Sequence, residues 1–480
     1  MTYPLEPLER AFTGAKSFLD KIDERSVAAT LSIDDIRRNG IARTLPEDRK
    51  DASIVIDELI AATDGGHLGS ASGRFFGWVI GGALPSALAA DWLTSTWDNN
   101  ATLAACGPAS AVIEEVAGSW VKELLGLPSE ASFAFTTGCQ MAHVTCLAAA
   151  RHALLKRYGH DVEKCGLFGA MPIRVLATEH RHGSIERALR FLGLGTSSLV
   201  SLPTDVDSRL TADVVERALN EVHAPTILVL DAGDLNVGAM DDFDRIIPLA
   251  RKSKAWVHVD GAFGLWARAS HRRAHLAQGI ELADSWATDA HKWLNTPKDN
   301  GIAIIRDTEA HRAAMTIGAD YLTAAKDVRD AIDWTPDWTR RARGIPVYAV
   351  ISELGREGVA EMIDRCCEMA TNLVDGLAAL DGVELVFRPT LNQGLVRFPS
   401  PAPNATAEQH DAYNDAMIAA INAEGTAFFS GTVWEGRRAM RISVVNWRTD
   451  DEAVERTLAA VAKVLSDGSA ASAPTQDFVI

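Results

Sequence analysis

From about residue 130 the chain alternates short apolar runs with stretches of helical period. The apolar runs Phe133–Thr136, Ile173–Thr178, Ser197–Leu202, Thr226–Asp231, Ala255–Asp260, Asp284–Thr288 and Gly301–Arg306 have the length and continuity of strands covered on both faces. Between them lie segments such as Ser184–Leu192, where Ile185, Leu189 and Leu192 recur at i, i+4 and i+7. This alternation predicts an α/β domain on a seven-stranded, mostly parallel sheet. Residues 1–85 read instead as helices and turns, with Ile33–Arg37 and Ala52–Thr63 helical and Asp64-Gly65-Gly66 as a stop. After residue 345 the alternation ends. A long helical stretch, Val347–Leu380, leads to strand-like Val383–Arg388 and Gln393–Phe398, a helix over Glu408–Ala423, strands Thr426–Ser430 and Ala439–Asn446, and a last helix to Ser466. The expected organisation is a helical N-terminal arm (1–85), a large α/β domain (86–345) and a small α+β domain (346–480).

Composition narrows what such a chain can do. Of 480 residues, 47% are hydrophobic and 23% charged, enough apolar content for a sizeable core. Lys and Arg number 47 against 64 Asp and Glu, a net charge of −17, so there is no basic footprint for nucleic acid. The longest weakly polar run, Phe75 to Ala90, is interrupted by Gly81-Gly82 and Pro85, which argues against a membrane span. Met1–Asp20 carries scattered charges, unlike a secretory leader. Six cysteines without a C-x-x-C pair predict reduced thiols and a cytoplasmic location.

In a parallel sheet, ligands bind beyond the carboxyl ends of the strands, so the residues that follow each strand carry the functional information. Thr136-Thr137-Gly138-Cys139-Gln140 opens a helix with hydroxyls and free N–H groups, a seat for phosphate. Glu179-His180-Arg181-His182-Gly183-Ser184 offers histidines suited to capping a helix, stacking on a ring or ligating metal; the further ligands that zinc requires are not at ligand spacing. Asp260 ends one strand beside Gly261 and Ala262, where it could cap the next helix or pair with a protonated ring nitrogen. Lys292, in Asp289-Ala290-His291-Lys292-Trp293, follows another strand; depression of its pKa by its neighbours would suit it to Schiff-base formation. Phosphate seat, histidine, aspartate and lysine together match one cofactor, pyridoxal 5′-phosphate.

Val257-His258-Val259-Asp260-Gly261-Ala262-Phe263 together with Asp289-Ala290-His291-Lys292-Trp293 resembles the group II pyridoxal-phosphate-dependent decarboxylases, which include the aromatic-amino-acid and glutamate decarboxylases of fold type I (aspartate-aminotransferase-like). The likeness runs from about residue 70 to 450 and takes in Arg74-Phe75-Phe76-Gly77, Pro108-Ala109 and His182–Ala188. The resemblance implies that Lys292 binds the cofactor, that Asp260 pairs with its ring nitrogen, that His182 stacks on one ring face and that Ala262 packs beneath the other. It implies a phosphate held by Thr137, Gly138 and Cys139 with help from His291, and a substrate carboxylate approached by Arg441.

In two departures from the family pattern the chain looks like a less-characterised bacterial branch. Asp231 stands at a strand end where a threonine is expected, and Asp234-Leu235-Asn236 replaces a Thr-rich segment. The loop from Gly318 to Asp333 is short and its only tyrosine, Tyr321, stands at its start, so the expected proton donor to Cα is Tyr321, a histidine such as His182 or a residue of the partner chain. The sequence therefore leads to a pyridoxal-phosphate-dependent decarboxylase acting on a small-molecule substrate, an L-amino acid. An aminotransferase, or an aldolase or other carbon–carbon lyase, on the same cofactor is the alternative, and a non-catalytic binder a third reading. The resemblance also implies a homodimer with shared active sites.

Overall fold

Strands form where the apolar runs lie. In the computed structural model they are β1 (Ser132–Thr136), β2 (Arg174–Thr178), β3 (Leu199–Leu202), β4 (Thr226–Asp231), β5 (Trp256–Asp260), β6 (Ser285–Asp289) and β7 (Gly301–Ile305). The structure describes residues 3–38, 41, 44–221, 223–317 and 329–467. Among these residues the strands make one seven-stranded sheet in the order β1-β7-β6-β5-β4-β2-β3. β3, β2, β4, β5 and β6 pair in parallel, while β7 is antiparallel to both β6 and β1. The carboxyl ends of β1, β2, β4, β5 and β6 therefore share one edge, and β7 begins there. Every residue of β1, β4, β5, β6 and β7 is buried, as near-continuous Val, Ile, Leu and Trp content requires of a sheet covered on both faces.

The helices follow the amphipathic pattern. Helix Gly183–Phe191 buries Ile185, Ala188 and Leu189 and exposes Arg187 and Arg190. Helix Cys139–Lys156 lies directly on the sheet and is buried nearly all round, so its period was masked in the sequence.

The chain divides into two compact units. Val79–Thr371 with Phe387–Gly394 carries the large sheet; Met1–Trp78, Asn372–Val386 and Leu395–Ile480 make up the other. A four-stranded sheet has the order β10-β11-β9-β8, from β8 (Glu384–Phe387), β9 (Gln393–Arg397), β10 (Ser430–Trp434) and β11 (Arg437–Ser443). Two expectations shift here. The strand expected at Thr426–Ser430 lies at 430–434, because Phe428 stacks on Phe75 at 5.1 Å and exchanges backbone bonds with the 74–76 segment instead. The hairpin then turns on Glu435-Gly436, both with positive φ (49° and 74°), the two-residue type that suits twisted strands. The helix expected over Val347–Leu380 runs from Gly344 to Ala378 and is broken at Gly355, whose φ of 60° and ψ of −174° only glycine adopts readily.

Beneath the sheet sits a buried histidine, His311. Its Nδ1 is 2.8 Å from Ser132 Oγ and its Nε2 is 2.8 Å from the Trp334 carbonyl oxygen, so a neutral ring that donates through Nε2 satisfies both. Burial pushes its pKa down to about 3, with Arg329 nearby adding to the effect. A histidine depressed in the folded state stabilises fully above its unfolded pKa and loses that contribution as pH falls through the window from 6.5 to about 3. Urea unfolding of wild type and His311→Gln should show an extra loss in wild type of about 1.4 kcal/mol per pH unit between pH 6 and pH 4. Parallel pH profiles would contradict the assignment.

Candidate active site at the sheet edge

The shared edge collects the chemistry. β5 ends in Asp260, 7% exposed. Its Oδ1 accepts the Ala262 N–H at 3.1 Å, and its Oδ2 lies 3.3 Å from His143 Nε2. Burial by itself would raise this carboxyl; His143, His182 and Lys292 outweigh it and hold Asp260 well below the usual carboxylate range. One strand over and in register with it, Asp231 ends β4. Burial, then the charges of Asp241, Asp260 and Asp234, push Asp231 well above that range. Two adjacent strand ends thus carry one carboxylate and one carboxylic acid.

β6 ends in Asp289, and the turn that follows presents Lys292. The Lys292 Nζ is 3.1 Å from Asp289 Oδ2. Its neighbours do not depress this lysine: burial lowers it, but Asp289 and Asp260 more than compensate and hold the ammonium above its ordinary value. The turn is pinned from the 79–84 segment, where Gly82 N–H donates to Asn295 Oδ1 at 3.1 Å and Leu84 N–H to the Asn295 carbonyl. Gly81 lies so close that a Cβ there would fall 2.0 Å from the Lys292 carbonyl oxygen.

At the end of β1, Gly138 is the N-cap of helix Cys139–Lys156. The Cys139 N–H donates to Asp289 Oδ1 at 2.6 Å, so this helix end already receives an anionic oxygen. Thr137 and Gly138 are partly exposed beside it, and a Cβ on Gly138 would lie 3.4 Å from His291 Cε1. Gly301, first residue of β7, permits the crossing, since a Cβ there would strike the Gly138 backbone at 2.3 Å. His291 Nδ1 lies 2.9 Å from the Asn300 carbonyl oxygen and 3.1 Å from the Asn300 nitrogen, and burial lowers its pKa. The Cys139 thiol turns toward His143 Nε2 at 3.4 Å, and burial pushes it far up.

His182 follows β2 and caps helix Gly183–Phe191, its Nδ1 accepting the Ser184 N–H at 3.2 Å. The capping alternative is thus realised, and the ring remains exposed. Ala262 is partly exposed; its carbonyl accepts the Asp289 N–H at 2.9 Å, which ties β5 to β6. The edge so brings together Lys292, Asp260, His182, Ala262, Thr137, Gly138, Cys139 and His291. Arg441 lies on β11 in the other unit, 5% exposed, and Tyr321 falls outside the described residues.

Sequence reasoning passed over His143, His258 and the bridging part of Asp289. The signals were present: His258 stands two residues before Asp260, on the same strand face, and His143 stands one helical turn after Cys139.

Helix N-terminus, exposed histidine, buried carboxylate and lysine at a parallel-sheet edge fit pyridoxal phosphate in charge and donor type: an anion seat, a partner for a cationic ring nitrogen and an amine. The fold is that of a fold type I pyridoxal-phosphate enzyme. A family model, the pyridoxal-dependent decarboxylase conserved domain, matches residues 48–400, and the chain belongs to that family. It is similar to an aromatic-L-amino-acid decarboxylase of Bacillus atrophaeus, 26% identical over 450 residues (90% of this chain, 89% of that protein). An L-2,4-diaminobutyrate decarboxylase of Rhizobium meliloti is 28% identical over 387 residues, 79% of this chain and 75% of that one. The fold matches an Oryza sativa TDC crystallised with PLP and tryptamine at a TM-score of 0.90 and 23% identity, across 98% of this chain and 100% of that chain. The protein is a pyridoxal-phosphate-dependent amino-acid decarboxylase, and the aminotransferase and aldolase alternatives give way to that reading.

Because Gly81 leaves no room beside the Lys292 carbonyl, Gly81→Ala should displace the lysine turn. Turnover is expected to fall on the order of 100-fold while the circular dichroism spectrum keeps its shape. Undiminished turnover would show that the turn tolerates the shift.

Proposed function

We propose that this chain removes the α-carboxyl group of an L-amino acid at the β5–β6 end of the large sheet, with Lys292 and Asp260 as the two indispensable groups. The observation that carries the reading is a buried aspartate kept ionised at the same edge as a lysine amine. Bound there, the cofactor supplies an electron sink for the electron pair released at Cα when CO2 departs. Asp260 contributes a fixed negative charge opposite the ring nitrogen, worth most where water is excluded. His182 offers an exposed imidazole to one ring face and Ala262 a small surface to the other. The phosphate falls to Thr137, Gly138 and Cys139 at the helix N-terminus, with His291 beside them. Lys292 would hold the cofactor, and its ammonium would have to give up a proton to do so, which Asp289 at 3.1 Å opposes. A proton has to reach Cα after CO2 leaves, and Tyr321 is our candidate donor.

Side-chain preference is open to direct assay. A panel of the twenty L-amino acids together with L-2,4-diaminobutyrate should yield CO2 and amine in equal amounts from at least one substrate. Amino-group exchange without CO2 would reverse the reading in favour of aminotransfer. For the site itself, borohydride reduction should fix the cofactor mass on the peptide that contains Lys292, and Lys292→Ala should abolish that product. Asp260→Ala should retain some cofactor and lose most turnover. Cofactor trapped elsewhere, or turnover close to wild type in Asp260→Ala, would contradict the assignment.

The assembly we propose is a cytoplasmic homodimer. Supporting it, helices Glu6–Asp20 and Ala52–Thr63 leave Leu8, Phe12, Ile54 and Leu59 each at least half exposed, the kind of apolar surface that monomers rarely present. Phe75, Phe76 and Leu84, by contrast, are covered by their own chain. All six cysteines are free thiols, in keeping with a reducing compartment, and no described helix is long and apolar enough to cross a membrane. Light scattering should give twice the chain mass for the active enzyme, and a stable, active monomer would refute the dimer.

A further inference from the structure

Against Asp260 ends a line of buried polar side chains that the reading above does not use. His143 Nε2 is 3.3 Å from Asp260 Oδ2. His143 Nδ1 is 2.9 Å from His258 Nε2, and His258 Nδ1 is 2.9 Å from Ser285 Oγ, which also receives the Trp256 Nε1–H at 2.9 Å. His143, His258 and Ser285 are fully buried and Trp256 is 2% exposed. Three elements bring them together: helix Cys139–Lys156, β5, and β6, where Ser285 pairs in register with His258.

An ionised carboxylate only accepts, so His143 carries a proton on Nε2 and donates it to Asp260. His258, pushed down to about 3 by burial and by His143, is neutral and bridges His143 Nδ1 to Ser285 Oγ. At the far end an indole N–H only donates, and the Ser285 oxygen accepts it. Whether His143 is neutral or an imidazolium, its Nε2–H points at the carboxylate and each group in the line has a partner. Such a chain polarises each successive bond and directs its positive end at the carboxylate.

Apolar side chains of similar volume would fill this core at lower cost, because buried polar groups are tolerated only when every one is paired. The Cys139 thiol completes the surround, with Sγ 4.0 Å from Asp260 Oδ1; sulfur, nitrogen and oxygen lie within 4.8 Å of one another, a grouping that hydrogen bonding accounts for.

We propose that His143, backed by His258, Ser285 and Trp256, is a positioning residue that holds the Asp260 carboxylate ionised and aimed at the ring nitrogen of the cofactor. The inference rests on the reading that Asp260 faces that nitrogen, and the test separates the two. Holoenzyme is reconstituted with pyridoxal phosphate labelled with 15N in the ring, and the nitrogen shift and cofactor dissociation constant are measured at neutral pH. Wild type should show a protonated ring nitrogen. His143→Leu should move the shift toward the unprotonated value and weaken cofactor binding by about tenfold to a hundredfold, the range for a lost hydrogen bond to a charged group. His143→Gln, which can place an amide N–H near the former Nε2, should recover most of both. Asp260→Asn is the reference. If it leaves the shift unchanged, the placement of Asp260 is wrong; if it moves the shift and His143→Leu does not, the positioning role is wrong. Should His143→Leu fail to fold, His258→Phe carries the test: a smaller displacement in the same direction supports the proposal, and wild-type values overturn it.

Discussion

A carboxylate at the end of a buried parallel strand is costly, and Asp260 stays ionised only because cations and donors surround it. Much of the local architecture follows from that constraint. The turn after β5 is tight enough for Ala262 N–H to reach Oδ1, helix Cys139–Lys156 places His143 against Oδ2, and β6 delivers Lys292 to the same edge. Asp231, in register on β4 without such a surround, takes the opposite course and holds its proton. The contrast between neighbouring strand ends shows that environment, not residue type, assigns their roles.

Asp289 ties the lysine to the anion seat. One of its oxygens faces the Lys292 ammonium and the other the Cys139 N–H at the start of a helix. A phosphate arriving at that helix end would meet Asp289 already holding one of its donors. The position would therefore be a point of competition as well as a support.

The large sheet was legible in the sequence because each strand is a short apolar run that stops at a polar residue. Thr226–Asp231 is found at its expected bounds, and the other runs shift by one or two residues. The strand ends named Asp260, Lys292 and His182 for the same reason. Pattern could not show that β7 runs against its neighbours, since a fully buried strand reads alike in both directions. Nor could it place the strand after Thr426, where the burial of Phe428 against Phe75 outranks β propensity. His143 and His258 were signalled only by their spacing from Cys139 and Asp260, and spacing carries no mark of a side chain's partner. Only the fold brings a helix position and a strand position 2.9 Å apart.

The charge state of Asp260 is the claim on which the site depends, and infrared difference spectroscopy reads it without substrate. Subtracting the spectrum of Asp260→Asn from that of wild type at neutral pH isolates this one side chain. The account predicts the paired stretching bands of a carboxylate. A single carbonyl band from a protonated acid would contradict it.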